Sequence, residues 1–128
     1  MRAVLVALLG FTGPAWADGQ VLSCSASRSC DAAGLCMDDG RDVRFDLTPL
    51  EVGGDGTGLY RIAYGPLDVE AVLDGTSTLS WSEGGTNLNT LVPTGPETMV
   101  WVARDPEEAP ITARTTFLTC KRPVRWNR

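Results

Sequence analysis

Three cysteines, Cys24, Cys30 and Cys36, stand close together near the head of the chain, and the fourth, Cys120, stands almost at its other end. Four cysteines allow three pairings. Pairing Cys24 with Cys120 joins an opening segment to a closing one, as neighbours in a barrel or meander would be, and Cys30 with Cys36 then staples a local loop. In the chain-entropy picture the long closure contributes roughly 4 to 5 kcal/mol and the short one about half of that. The alternative roles are a metal site and a redox pair. Five residues separate each head cysteine from the next, unlike the close pairs of zinc modules. A C-x-x-C redox motif is also absent. Two structural disulfides, Cys24–Cys120 and Cys30–Cys36, are the expectation.

Disulfides need an oxidising compartment, and the first residues predict one. Met1-Arg2 is a short basic start, Ala3 to Phe11 is apolar, and Ala15-Trp16-Ala17 is a small-x-small site before Asp18. That order reads as a secretory signal peptide over residues 1–17. The apolar run is far shorter than the ~20 residues of a spanning helix. No cysteine follows it directly to suggest lipoprotein processing. A secreted chain is expected, with the bacterial periplasm as its location. Residues 18–120 then form one β-domain, and 121–128 a basic C-terminal tail.

Charge is unevenly placed. From Asp18 to Cys120 there are six Arg, no Lys and all 16 acids, so 6 − 16 = −10. The last eight residues, Lys-Arg-Pro-Val-Arg-Trp-Asn-Arg, carry four positive charges and no acid. An acidic body argues against nucleic acid, which needs a basic surface. The tail cations Lys121, Arg122 and Arg125, with Trp126, suit contact with an anionic surface, although Pro123 opposes a helix there and a frayed tail is the simpler expectation.

Between the cysteines the chain reads as short strands with turn punctuation. Gln20 to Ser25 opens the series. Asp42 to Thr48 alternates Val43, Phe45 and Leu47 against Arg44 and Asp46, and Pro49 ends it or places it on an edge. After the glycine-rich Glu51 to Gly58, Leu59 to Tyr64 puts Tyr60, Ile62 and Tyr64 on one face. Leu67 to Leu73 is the clearest strand, with Leu67, Val69, Ala71 and Leu73 facing one way. Asp74-Gly75 then predicts a tight hairpin with positive φ at both turn positions, leading into Thr76 to Ser82. Thr86 to Val92 is weaker, Glu97 to Arg104 is apolar on both faces, and Ile111 to Cys120 closes the series. Asp31-Ala-Ala-Gly allows one helical turn at most. An all-β domain follows: a single small antiparallel barrel or sandwich of about eight strands, with a barrel slightly favoured. Eight strands enclose an interior that side chains fill or that holds one small ligand.

Candidate chemistry is sparse. There is no histidine, which removes Ser-His and Cys-His nucleophile systems and histidine metal sites. Acid–base work would fall to carboxylates, and the pattern of the acids is mostly that of solvated strand faces. Only Glu83, beside Trp81 and Gly84-Gly85, has a suggestive setting, and turn chemistry explains it equally well. The Gly53 to Gly58 loop lacks the Lys and Ser/Thr of a phosphate loop. A calcium site there would need help from Asp38, Asp39 and Asp42. No metal, cofactor or catalytic residue is assigned. Two candidate contact surfaces remain. One is the loop from Ser25 to Leu35, held by Cys30–Cys36 and carrying Arg28, Asp31 and Leu35. The other is the pair Trp81 and Trp101, which are core unless an indole lies on the outer wall.

In cysteine placement and strand count this layout resembles the small periplasmic β-barrel inhibitors of lysozyme, where a cysteine in an early strand pairs with one near the end. The resemblance carries over no site residue. The expected role is that of a non-enzymatic secreted β-domain that binds another macromolecule of the cell envelope. Its acidic body suits a basic protein partner, lysozyme-like enzymes being one example. A carrier of a small apolar ligand is the alternative, and a carboxylate-based hydrolase is third.

Overall fold

The computed structural model describes residues 19–121. The signal-peptide reading of 1–17 and all of the tail beyond Lys121 lie outside them. Among the described residues there are nine strands and no helix. They are β1 (Gln20–Asp31), β2 (Cys36–Asp38), β3 (Asp42–Val52), β4 (Gly58–Tyr64), β5 (Leu67–Leu73), β6 (Leu79–Glu83), β7 (Asn87–Pro93), β8 (Thr98–Asp105) and β9 (Thr112–Lys121). Strands β1 and β3 to β9 pair in chain order, and β9 returns to β1, so eight antiparallel strands close into a barrel. Strand β2 adds to β1 outside that ring.

Period-two alternation places the core. Leu22, Cys24 and Ala26 of β1 point inward with Phe45, Leu47, Tyr60, Ile62, Ala71 and Leu73. Leu79, Trp81, Leu91, Met99, Leu118 and Cys120 complete the lumen. Each large apolar side chain so buried stabilises by about 1.5 to 3 kcal/mol. The lumen is therefore a packed core. Closure of β9 onto β1 removes the sheet edges that an open meander would leave, and β8, apolar on both faces, lies between β7 and β9.

Both disulfides have the expected partners, Cys24–Cys120 and Cys30–Cys36. Cys24 sits directly opposite Cys120 in the β1–β9 pairing that shuts the barrel. Cys30 sits opposite Cys36 between β1 and β2.

Several boundaries differ from the sequence reading. The opening strand runs on from Ser25 to Asp31, because its second half pairs with β9 on one side and β2 on the other. Arg28 and Asp31 are thus strand residues, and the Asp31-Ala-Ala-Gly turn is a hairpin turn. Strand β3 continues through Pro49 to Val52, past the start of β1, with a bulge between Pro49 and Glu51. Next to that bulge, where Gly58 pairs with Val52, a Cβ on Gly58 would collide with the carbonyl oxygen of Glu51, and Gly58 has φ +139°, so only glycine fits. The Asp74-Gly75 turn is wider than a two-residue hairpin. Asp74 Oδ1 accepts the N–H groups of Thr76 and Thr78, and the positive φ falls on Ser77. The carboxylate captures the backbone, so β6 begins only at Leu79. Lys121, read as tail, is the last residue of β9 and pairs with Ser23.

Candidate functional site

The register sorts the connections into two ends. One end carries the β3–β4, β5–β6 and β7–β8 loops and the C-terminus of β9. The other carries the β1–β2, β4–β5, β6–β7 and β8–β9 connections. Arg28, Asp31 and Leu35 lie at this second end, whereas Lys121, at the C-terminus of β9, lies at the first. Asp55 of the glycine-rich loop lies at the first end, so Asp38, Asp39 and Asp42 cannot join it around a calcium ion. Asp55 Oδ1 instead accepts the N–H and hydroxyl of Thr57. Among the described residues no cluster of acids and cysteines could hold a metal.

Strands β1 and β2 form a hairpin, the finger, at the second end, with β9 paired along the other edge of β1 as far as Asp31. Its turn is built by Asp31, whose Oδ1 accepts the N–H groups of Ala33 (3.0 Å) and Leu35 (2.9 Å). The Asp31 N–H donates to the Leu35 carbonyl, and Gly34 takes the left-handed conformation that closes the turn. Cys30–Cys36 ties the two strands just below. At the base Ser29, buried, donates to Asp39 Oδ2 (2.7 Å) and lies 3.3 Å from the Thr116 hydroxyl. Arg41 clamps the same carboxylate with its Nε and Nη2. The finger is therefore held rigid on polar contacts, while its own apolar side chains reach no core. Leu35 is 73% exposed and Met37 68%. Arg28 and Asp31 are exposed as well.

Behind the finger, four rings plug the barrel. Phe45, Tyr64, Trp81 and Trp101 contact one another in every combination, with centroids 5.3 to 6.5 Å apart and mostly edge-to-face. That arrangement is the favoured one for aromatic quadrupoles. Neither tryptophan lies on the outer wall. Trp81 is buried and Trp101 half-buried, both on inward faces. Their indole N–H groups are satisfied: Trp81 donates to Tyr64 Oη (3.0 Å) and Trp101 to Asn89 Oδ1 (2.9 Å). Tyr64 in turn donates to Glu83 Oε2 (2.7 Å). Burial, then the Glu83 hydrogen bond, pushes the Tyr64 phenol well above its ordinary pKa, so it stays a neutral donor. At the far end burial, then the charge of Asp55, pushes Tyr60 up to about 12, and its hydroxyl donates to the Gly56 carbonyl.

The sequence reading missed Tyr64 and Asn89 as partners of the two indoles, and Met37 as an exposed apolar residue. The inward alternation of Tyr64 and Glu83 was the available signal for the first.

Acid sensitivity follows from the carboxylates. The hydrogen bonds from the Arg41 side chain, then its backbone N–H, then Ser29 hold Asp39 well below the usual carboxylate range. Thr57 lowers Asp55 and Thr76 lowers Asp74. In the unfolded chain such groups titrate near ~3.9. A group whose pKa falls on folding contributes stability above its unfolded value and loses it as pH falls towards the folded one. The melting temperature should therefore be flat from about pH 5 to 8, where the absence of histidine leaves no side chain with an ordinary pKa, and should fall below about pH 4. Circular dichroism melts from pH 2 to 8 check this, and Asp39→Asn should flatten part of the acid limb.

No protein-family model matches this chain, and no curated protein sequence or solved structure matches it significantly.

Proposed function

We propose that the protein is a secreted, periplasmic, non-enzymatic binding domain whose β1–β2 finger docks on a basic protein of the cell envelope. The observation that carries this reading is the finger itself: two exposed apolar side chains, Leu35 in the turn and Met37 on β2, presented by a hairpin that a disulfide and a carboxylate hold together. Ordering a flexible loop on binding costs free energy, and a preformed one avoids that cost. Exposed Asp31, Asp38, Asp68, Glu107 and Glu108 lie at this end, against exposed Arg28, Arg41, Arg104 and Arg114. With the net charge of the body, that surface favours a cationic partner and fast, salt-dependent encounter. The far edge of β2 has no neighbouring strand among the described residues, so an extended partner segment can add there. Both disulfides are compatible with a secreted location. The carrier alternative finds no support in a lumen filled by Phe45, Trp81, Leu91 and Met99.

Capture from envelope extract tests the proposal. Wild-type bait should retain a basic protein at low ionic strength and release it as salt rises. Leu35→Asp with Met37→Asp should weaken that binding by about tenfold or more, as losing central apolar anchors does. Equal retention by both baits, or no basic protein on the wild type, would refute the reading.

A further inference from the structure

We propose that Glu83, with Tyr64, Trp81 and Trp101, forms a subsite for a guanidinium group presented by the basic partner. This rests on the docking role given above to the same barrel end, and goes further by naming what the mouth recognises.

Glu83 is the last residue of β6, on the inward face with Trp81, opposite Asn87 of β7. It is half-buried, and so are Tyr64 and Trp101. Its orientation is set by a relay: the Trp81 indole donates to Tyr64 Oη at 3.0 Å, and Tyr64 donates to Glu83 Oε2 at 2.7 Å. This uses one carboxylate oxygen and leaves Oε1 without a protein hydrogen bond among the described residues. The ion pairs there engage other acids: Arg41 with Asp39, Arg44 with Asp46, Arg61 with Asp68. Glu83 is thus a positioned negative charge, partly withdrawn from water, bonded to Tyr64, whose ring packs on Trp81 and Trp101, and it has no ion-pair partner among the described residues.

That combination matches a guanidinium. The planar group lies against aromatic rings and donates in a fork to a carboxylate. Partial desolvation strengthens both interactions. A purely structural Glu83 would need only an acceptor for Tyr64, and glutamine supplies one equally well. The negative charge is the surplus that a cation explains.

The full mature chain is titrated at low salt with a capped tri-arginine peptide, with tri-citrulline as its neutral isostere. Indole N–H resonances of Trp81 and Trp101 should move with tri-arginine and stay still with tri-citrulline. Glu83→Gln should keep the melting temperature within a few degrees, since Tyr64 retains an acceptor, yet weaken tri-arginine binding about tenfold or more. Equal affinity of wild type and Glu83→Gln, equal shifts with tri-citrulline, or unmoved wild-type indoles would overturn the subsite. The wild-type resonances decide the matter even if the variant folds poorly. The two ideas fail separately. If the Leu35/Met37 variant loses the captured partner while Glu83→Gln keeps it in full, the subsite is wrong and the finger stands.

Discussion

Replacing Cys24 and Cys120 together by alanine is expected to cost about 4 to 5 kcal/mol of stability, because the bond closes a loop of 96 residues' separation. Domains of this size are stable by only ~5 to 15 kcal/mol, so the variant should be partly unfolded at growth temperature. Alanine is the right replacement, since both sulfurs are buried and a serine hydroxyl there would add a desolvation penalty. The matching change at Cys30 and Cys36, separated by 6 residues, should cost about 2 kcal/mol by the same relation. Urea denaturation of both variants gives the comparison. A rise in the slope of free energy against urea should accompany loss of the long closure, as the unfolded chain expands. Similar losses for the two pairs would mean that the β1–β9 ladder, not the covalent bond, shuts the barrel.

Phe45→Ala should have an effect of similar size, about 3 to 5 kcal/mol. Phe45 is fully buried and is the only one of the four rings without a polar atom. Its centroid lies 5.3 Å from those of Tyr64 and Trp101 and 6.5 Å from that of Trp81. Truncation therefore leaves a cavity that three stiff, hydrogen-bonded neighbours cannot collapse into. A fall in melting temperature of roughly 15 °C or more is expected, with loss of near-ultraviolet circular dichroism from the tryptophans before loss of the strand signal. Leu35→Ala at the finger tip, which removes nothing from the core, should leave the melting temperature essentially unchanged. A small effect at Phe45 would show that the plug is loosely packed and would weaken the case for a preformed mouth.

What could be read in the chain is what repeats or is covalent. Alternation at Leu67–Leu73 marked that strand to the residue, because each inward position is apolar and each of Asp68 and Glu70 faces water. Cysteine placement led to both pairings. What escaped lacks a periodic signal. Strand β2 is three residues long with every one exposed, so no alternation betrays it. The second half of β1 puts Ser29 inward, where its hydroxyl is satisfied by Asp39 and Thr116, and a serine gives no hint of burial. At Asp74 a side chain outcompeted the turn that the Asp-Gly pair favours. The Tyr64–Glu83 contact spans 19 positions and joins β4 to β6 across the intervening β5. The residues that matter most at the candidate site are thus the ones that tertiary structure, not local pattern, brings together.

Hydrogen exchange at two amides distinguishes a partner docked on the finger from one docked elsewhere on the barrel. Asp31 N–H bonds to the Leu35 carbonyl and Asp39 N–H to that of Ser27. The alternation of an antiparallel pair then turns the N–H groups of Cys36 and Asp38 away from β1, onto the free edge. In the free protein these two should exchange fast. In complex with the captured basic protein they should slow, together with amides near Glu83. Protection appearing instead at the 53–57, 74–78 and 94–97 loops, with Cys36 and Asp38 unchanged, would place the partner at the opposite end and contradict the finger.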